Sequence, residues 1–204
     1  MDMTAEQWLP VKHLTQQPTS LTLLIERAAN GDTMAFEQIM IHSQQKVMAT
    51  TWRMLGNEAD ARDASQEVFL RVYKYLGRFK RDQDFFAWLY QITVNVCHDI
   101  AKKQTRAFTS LDDEALTALP ANIDVKNADA NLIRTQQREL IARAMATLPL
   151  KERAAIVLRD IEGLPTDEVA RILKSSSTTV RSQISSARRK IKVHCERYLR
   201  RTER

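Results

Sequence analysis

Leu164-Pro-Thr-Asp-Glu-Val-Ala-Arg-Ile-Leu-Lys-Ser-Ser-Ser-Thr-Thr-Val-Arg-Ser-Gln-Ile-Ser-Ser-Ala-Arg-Arg-Lys-Ile191 is the stretch whose reading decides the fold. Thr166 can cap a short helix carrying Val169, Ala170 and Leu173, with Asp167 and Glu168 at its positive end. A turn is expected over Lys174 to Ser176. The next helix, capped by Ser177 or a neighbouring serine, repeats Val180, Ile184, Ala187 and Ile191 at helical spacing, which makes one buried face. Its other side carries Thr178, Arg181, Ser182, Ser185 and Arg189, with Thr179 and Arg188 beside them. Short hydroxyls mixed with guanidinium groups are the chemistry of a helix that reads the major groove, where arginine pairs with guanine and flanking cations hold phosphates. An ordinary helical hairpin with a polar outer face has the same spacing, so charge outside the motif has to weigh the two.

That charge lies downstream. From Arg181 to Arg204 there are nine Lys or Arg and two Asp or Glu, a local net of +7 in a chain whose formal total is +6. The basic character therefore sits at the C-terminal end, as a polyanion-binding surface requires. Elsewhere the composition favours helices: the 204 residues include only 4 Gly and 5 Pro. Cys97 and Cys195 are far apart, with no C-x-x-C pair or histidine cluster to imply a metal, so no cofactor is expected and a reducing, cytoplasmic setting fits. Residues 1–19 are polar, contain Pro10 and Pro18, and lack the charged start and apolar run of a signal peptide; a poorly ordered extension is expected. Charges interrupt every apolar stretch, so membrane insertion is not expected.

Working upstream, four helices are predicted within 20–105. Ser20 caps the first, ending at Gly31; Asp32 caps the second, to about Leu55; Gly56 and Asn57 precede the third, from Glu58 to Leu76. Asp84 caps the fourth, to about Lys103, whose buried stripe is Leu89, Ile92, Val96 and Ile100. Periodicity lapses over 106–129, a flexible linker that lets its flanks move independently, and returns across 130–204. The expected fold class is all-α, two small helical domains joined by that linker, the second containing the helix-turn-helix.

Eight of the thirteen aromatic residues fall between Phe69 and Tyr90. Phe69, Phe85 and Leu89 read as core. Phe79 stands in a polar loop near Arg71, Lys74, Arg78, Lys80 and Arg81, a composition suited to stacking unpaired bases beside a phosphate backbone.

Here the residues resemble a family. Asp60-Ala-Arg-Asp-Ala-Ser-Gln-Glu-Val-Phe-Leu-Arg-Val-Tyr resembles the region 2.2 helix of extracytoplasmic-function sigma factors, and Phe86-Ala-Trp-Leu-Tyr-Gln-Ile-Thr-Val-Asn resembles region 2.3. Leu148-Pro-Leu-Lys-Glu-Arg-Ala-Ala-Ile-Val-Leu-Arg-Asp-Ile-Glu-Gly-Leu is similar to region 4.1, leading into a region 4.2 helix-turn-helix. The resemblance implies a sigma factor that binds RNA polymerase core at the β′ clamp helices and β flap, recognises promoter DNA and promotes melting. It implies core-polymerase contacts at Asp63, Gln66, Glu67 and Arg71, with Arg62 a neighbour. It implies minus-ten recognition by Phe79, Trp88, Gln91 and Asn95, whose amide suits a base edge. Minus-thirty-five recognition falls to Thr178, Thr179, Arg181, Ser182, Ser185, Arg188 and Arg189, with Arg181 and Ser182 leading. An anti-sigma partner is compatible with it. The chain departs from the usual pattern at Thr178, Gln183 and Ser186, leaving fewer cations on the expected reading face.

Two other classes compete. A helix-turn-helix regulator acting without polymerase explains 130–204 but leaves the aromatic segment unused, and usually needs a dimer. For an enzyme there is no phosphate loop, nucleophile motif or metal cluster, and His13, His42, His98 and His194 are scattered.

Overall fold

The computed structural model describes residues 21–80, 82–109 and 139–202; the expected extension at 1–19, the cap at Ser20 and nearly all of the linker lie outside them. The described residues are helical, without a strand. The helices are α1 Leu21–Ala29, α2 Thr33–Leu55, α3 Glu58–Tyr75, α4 Phe85–Thr109, α5 at 139–146, α6 Leu150–Ile156, α7 Thr166–Ile172 and α8 Ser177–Thr202. A 3-10 turn, Leu76–Arg78, follows α3, and a π turn, Val157–Ile161, follows α6.

Most helix ends obey local chemistry. Asp32 accepts from the Ala35 amide at 3.0 Å, Asn57 from Asp60 at 2.8 Å and Asp84 from Ala87 at 2.8 Å, each satisfying an orphan donor of the first turn. Gly56 closes α2 in the left-handed region at φ 82°. One expectation is corrected. Thr166 is the first residue of α7 and not its cap: Pro165 holds the cap position, offers no side-chain acceptor, and contributes only its carbonyl, which accepts from the Val169 amide at 3.0 Å. Of the serines expected to cap α8, it is Ser177's neighbour Ser176 that does so: its Oγ accepts from the Thr179 amide at 3.1 Å. Helix α4 also outruns its expected end, continuing through Thr109.

Helices α1 to α4 share a core of Ile39, Val47, Met54, Val68, Val72, Leu89 and Val96, all buried. Two hydroxyls are buried where α2 crosses α3: Thr51 and Ser65 lie 3.0 Å apart, and Ser65 donates to the Ala61 carbonyl at 2.7 Å, so neither is left unpaired. In the second group, Val180, Ile184 and Ala187 of α8 pack with Val169 and Ile172 of α7 and with Ala155 and Leu158.

In this structure the two groups pack directly on one another. Three groups from the first converge on Glu162, whose side chain is 10% exposed. Arg53 Nη1 and Thr50 Oγ1 each lie 3.0 Å from Oε1, and the Tyr90 hydroxyl donates to Oε2 at 2.6 Å. In the other direction Arg153 donates to the Met54 carbonyl at 2.7 Å, one of the carbonyls that α2 leaves unpaired at its end, and to Ala146 and Leu148 at 2.5 and 3.1 Å. Burial holds the Arg153 pKa below its ordinary value. Helix α4 is thus buried on two sides, by Leu89, Ile92 and Val96 and by Tyr90, Val94 and Cys97.

Candidate nucleic-acid interface

Helix α8 owes its exposed polar face to its buried stripe. With Val180, Ile184 and Ala187 held in the core, Thr178, Arg181, Ser182, Ser185 and Arg188 are exposed on the other side. Arg181, Ser185 and Arg188 line a hollow of about 330 Å³ with Thr166 and Arg159. Arg159, from the π turn, is not predicted by the sequence because its place in this surface depends on α6 packing against α8. A bidentate ion pair orients Arg188: Nε and Nη2 donate to Asp160 at 2.8 and 2.7 Å. The pair raises the Arg188 pKa above its ordinary value.

Two expected positions fall elsewhere. Thr179 is exposed but lines a different hollow, between α8 and α4. Arg189 borders a third with Lys190, Val193, His194 and Arg197. Gln183 and Ser186, two of the departures from the family pattern, are half-buried away from the reading face. The Ser186 hydroxyl donates to Glu152 at 3.2 Å, and Gln183 faces the first group of helices. A cation missing from either position is therefore not a cation missing from the reading face.

In the first group, Phe79 follows the 3-10 turn with its ring half-buried against Trp88 at 5.2 Å and Phe85 at 5.8 Å. Phe85 is core, as expected. Trp88 and Gln91 are half-buried and Asn95 exposed along one side of α4. Asn95 also borders a hollow of about 240 Å³ with His98, Lys151, Lys174, Thr179 and Gln183. Two buried atoms there, His98 Nε2 and Gln183 Oε1, have no hydrogen-bond partner. Of the minus-ten candidates on α4, Asn95 thus abuts the second group of helices.

The core-binding candidates divide between two sides of α3. Glu67 and Arg71 form an ion pair at 2.8 Å that Arg71 extends to Asp99 of α4 at 3.0 Å. Asp63 is exposed. Gln66 and Arg62 instead line an apolar groove of about 690 Å³ between α2 and α3, whose walls include Phe36, Met40, Met48, Phe69, Leu70 and Tyr73. Leu70 and Tyr73 are 65% and 57% exposed, more than a monomer has reason to leave uncovered side by side. Their i, i+3 spacing beside Gln66 was legible in the sequence, but which face α2 leaves open was not.

Among the described residues, no group of three or more His, Cys, Asp or Glu is placed to hold a metal ion, and no helix is long and apolar enough to cross a membrane.

Comparison with known proteins adds an independent line. Residues 40–107 match the model of sigma-70 region 2 and residues 138–191 that of sigma-70 region 4. The chain is 33% identical over 174 residues to the ECF RNA polymerase sigma-E factor of Escherichia coli K12, covering 83% of this chain and 91% of that protein. It is 30% identical over 173 residues to the RNA polymerase sigma-H factor of Pseudomonas aeruginosa, covering 82% and 90%. Among solved structures it is similar to CnrH in complex with the cytosolic domain of CnrY, at 25% identity and TM-score 0.59, covering 84% of this chain and 94% of that one. It shares the fold of the sigma factor RpoE of Bartonella quintana, solved with the anti-sigma factor NepR, at 19% identity and TM-score 0.63, covering 79% and 96%. With both sigma regions matched in order, and relatives aligned over nine tenths of their own length, the chain belongs to the extracytoplasmic-function sigma factors of bacterial RNA polymerase.

Proposed function

We propose that this sigma factor reads its promoter in two states of the DNA. The upstream, minus-thirty-five element is read as duplex by α8, through Arg181, Ser182, Ser185 and Arg188. The downstream, minus-ten element is read as melted strand by Phe79, Trp88, Gln91 and Asn95. The observation that carries this reading is the exposed polar face of α8, set opposite a fully buried apolar stripe and widened by Arg159. The groove between α2 and α3 is the seat of the β′ clamp helices, with Leu70 and Tyr73 buried on binding and Gln66 at the rim. The second group of helices engages the β flap. The chain supplies recognition and positioning, leaves the chemistry to the polymerase, and works in the cytoplasm.

An inhibitory partner fits the same scheme, because RpoE of Bartonella quintana was solved with an anti-sigma factor. A protein that holds the two groups of helices together would keep Asn95 against the second of them.

The test is reconstitution with bacterial core polymerase on a promoter library, sequencing the DNA upstream of each transcript. Two short conserved blocks at fixed spacing support the reading. Sequence-specific binding by the chain alone, indifferent to core, would instead favour a regulator that acts without polymerase.

A further inference from the structure

Arg159, Arg181 and Arg188 converge on one hollow but differ in electrostatic state. Arg188 gives Nε and Nη2 to Asp160, 28 residues away in sequence, while Arg159 and Arg181 have no carboxylate within salt-bridge distance among the described residues. The arginine is the more exposed member of the pair, 62% against 25% for Asp160, so its guanidinium points outward from an anchored base.

Those two states suit different parts of a DNA duplex. An unpaired cation gains most from a phosphate, where it displaces condensed counterions. A neutral pair gains little there, and the Asp160 carboxylate repels the phosphate. For a base edge the ranking reverses. Asp160 takes the Nε edge of the guanidinium and fixes its plane, which leaves Nη1 and the outer hydrogen of Nη2 as two parallel donors. That fork matches O6 and N7 of guanine. A side chain already held in one geometry also loses less rotamer freedom when it docks.

We propose that Arg188 is the base-discriminating arginine of the minus-thirty-five surface and that Asp160 is its positioning residue, giving up net attraction to DNA in return for selectivity. The inference rests on the reading of α8 as the minus-thirty-five helix. It adds a residue outside the helix-turn-helix to the determinants of promoter choice.

Holoenzyme reconstituted with bacterial core polymerase is titrated on duplex promoters carrying each base-pair change across the upstream element, with an unrelated duplex as reference, at two salt concentrations. Asp160→Ala should lose discrimination at one guanine-containing pair by about tenfold or more. The same variant should bind unrelated duplex more tightly and with a steeper salt dependence, because it gains a net positive charge. Arg188→Lys keeps the charge and can keep the ion pair but offers no planar fork, so it should lose discrimination at the same position with the salt dependence unchanged. If both variants keep the parent's preference at every position, the pair is structural and the proposal is wrong. Should Asp160→Ala fail to fold, Arg188→Lys decides alone.

Arg181→Ala and Arg188→Ala in the same titration separate this failure from that of the underlying reading. If both bind duplex promoter like the parent, α8 is not the minus-thirty-five helix and both proposals fall. If Arg181→Ala weakens binding while Asp160→Ala and Arg188→Lys keep the preference, only the assignment of Arg188 falls.

Discussion

Tyr90 of α4 donates its hydroxyl to Glu162 at 2.6 Å, tying the helix that carries the minus-ten candidates to the turn that introduces the helix-turn-helix. Burial first, and then the bond to Glu162 and its charge, push the Tyr90 pKa well above the ordinary tyrosine value. Glu162→Gln removes the charge that Arg53 and Tyr90 both face, and should loosen the two groups of helices. Hydrogen bonds to charged groups contribute about 1.5–3 kcal/mol each. The expected outcome is a larger radius of gyration by small-angle scattering with helix content unchanged. Tyr90→Phe should act in the same direction but more weakly, since the Arg53 pair survives. A tyrosine raised on folding stabilises below its unfolded pKa of about 10, and that contribution is lost as pH rises toward its folded value, so Tyr90→Phe should flatten the alkaline limb of the melting curve.

His98 should make the same packing sensitive to acid. Its pKa is lowered chiefly by burial, with Lys102 and Lys151 adding and Asp99 opposing, while Lys174 lines the same hollow. A histidine held neutral on folding contributes stability present above its unfolded value of 6.5 and lost as pH falls through its lower folded value. Melting temperature should therefore drop between about pH 7.5 and about pH 5 by more in the parent than in His98→Gln. Equal drops would mean His98 takes no part.

Core binding should depend more on the groove than on the acids beside it. Leu70→Glu places a charge where an apolar side chain is buried on binding, a loss of about 1.5–3 kcal/mol. Charge reversal at Asp63 and Glu67 should weaken the pull-down less, and would release Arg71 from one of its two acids. Thermal melts of both variants tell lost binding from lost fold. A larger effect from the acids would move the interface to the α4 side of α3.

The two DNA-reading surfaces should separate by the state of the DNA. Arg181→Ala should weaken holoenzyme on duplex promoter and lower its salt dependence, as loss of a phosphate contact does, with strand opening nearly normal once bound. Asn95→Ala and Phe79→Ala should spare duplex binding and impair opening, since stacking and base-edge contacts, about 1–3 kcal/mol per base, exist only after a base leaves the helix. Permanganate footprinting beside a binding titration, repeated on a pre-melted template, reads both. If Phe79→Ala alone discriminates bases like the parent on that template, its role is to anchor the loop against Phe85 and Trp88.

Lys174 carries a left-handed backbone, φ 49°, in the turn of the helix-turn-helix. A side chain there costs about 1–2 kcal/mol, part of which glycine returns as unfolded-state entropy. Lys174→Gly should leave the fold unchanged and raise the melting temperature slightly; a lower one would mean that the Lys174 side chain contributes more than its strain costs.

Local chemistry makes much of this protein legible in its amino-acid order alone. Asp32 and Asp84 cap helices because the donors they satisfy lie three residues away, Gly56 ends α2 because it alone takes a left-handed φ cheaply, and the stripe of Val180, Ile184 and Ala187 dictates which side of α8 faces outward. What covers a face is decided elsewhere in the chain. Tyr90, Val94 and Cys97 form a second apolar stripe on α4 at i, i+4, i+7 spacing, but only tertiary packing brings Glu162 to Tyr90 across 72 residues and to Thr50 across 112. Asp160 meets Arg188, Arg159 joins the hollow beside α8, and α2 leaves Leu70 bare for the same reason. Helical period assigns a residue to a side of its own helix, whereas its partner is selected by the packing of helices far away in sequence.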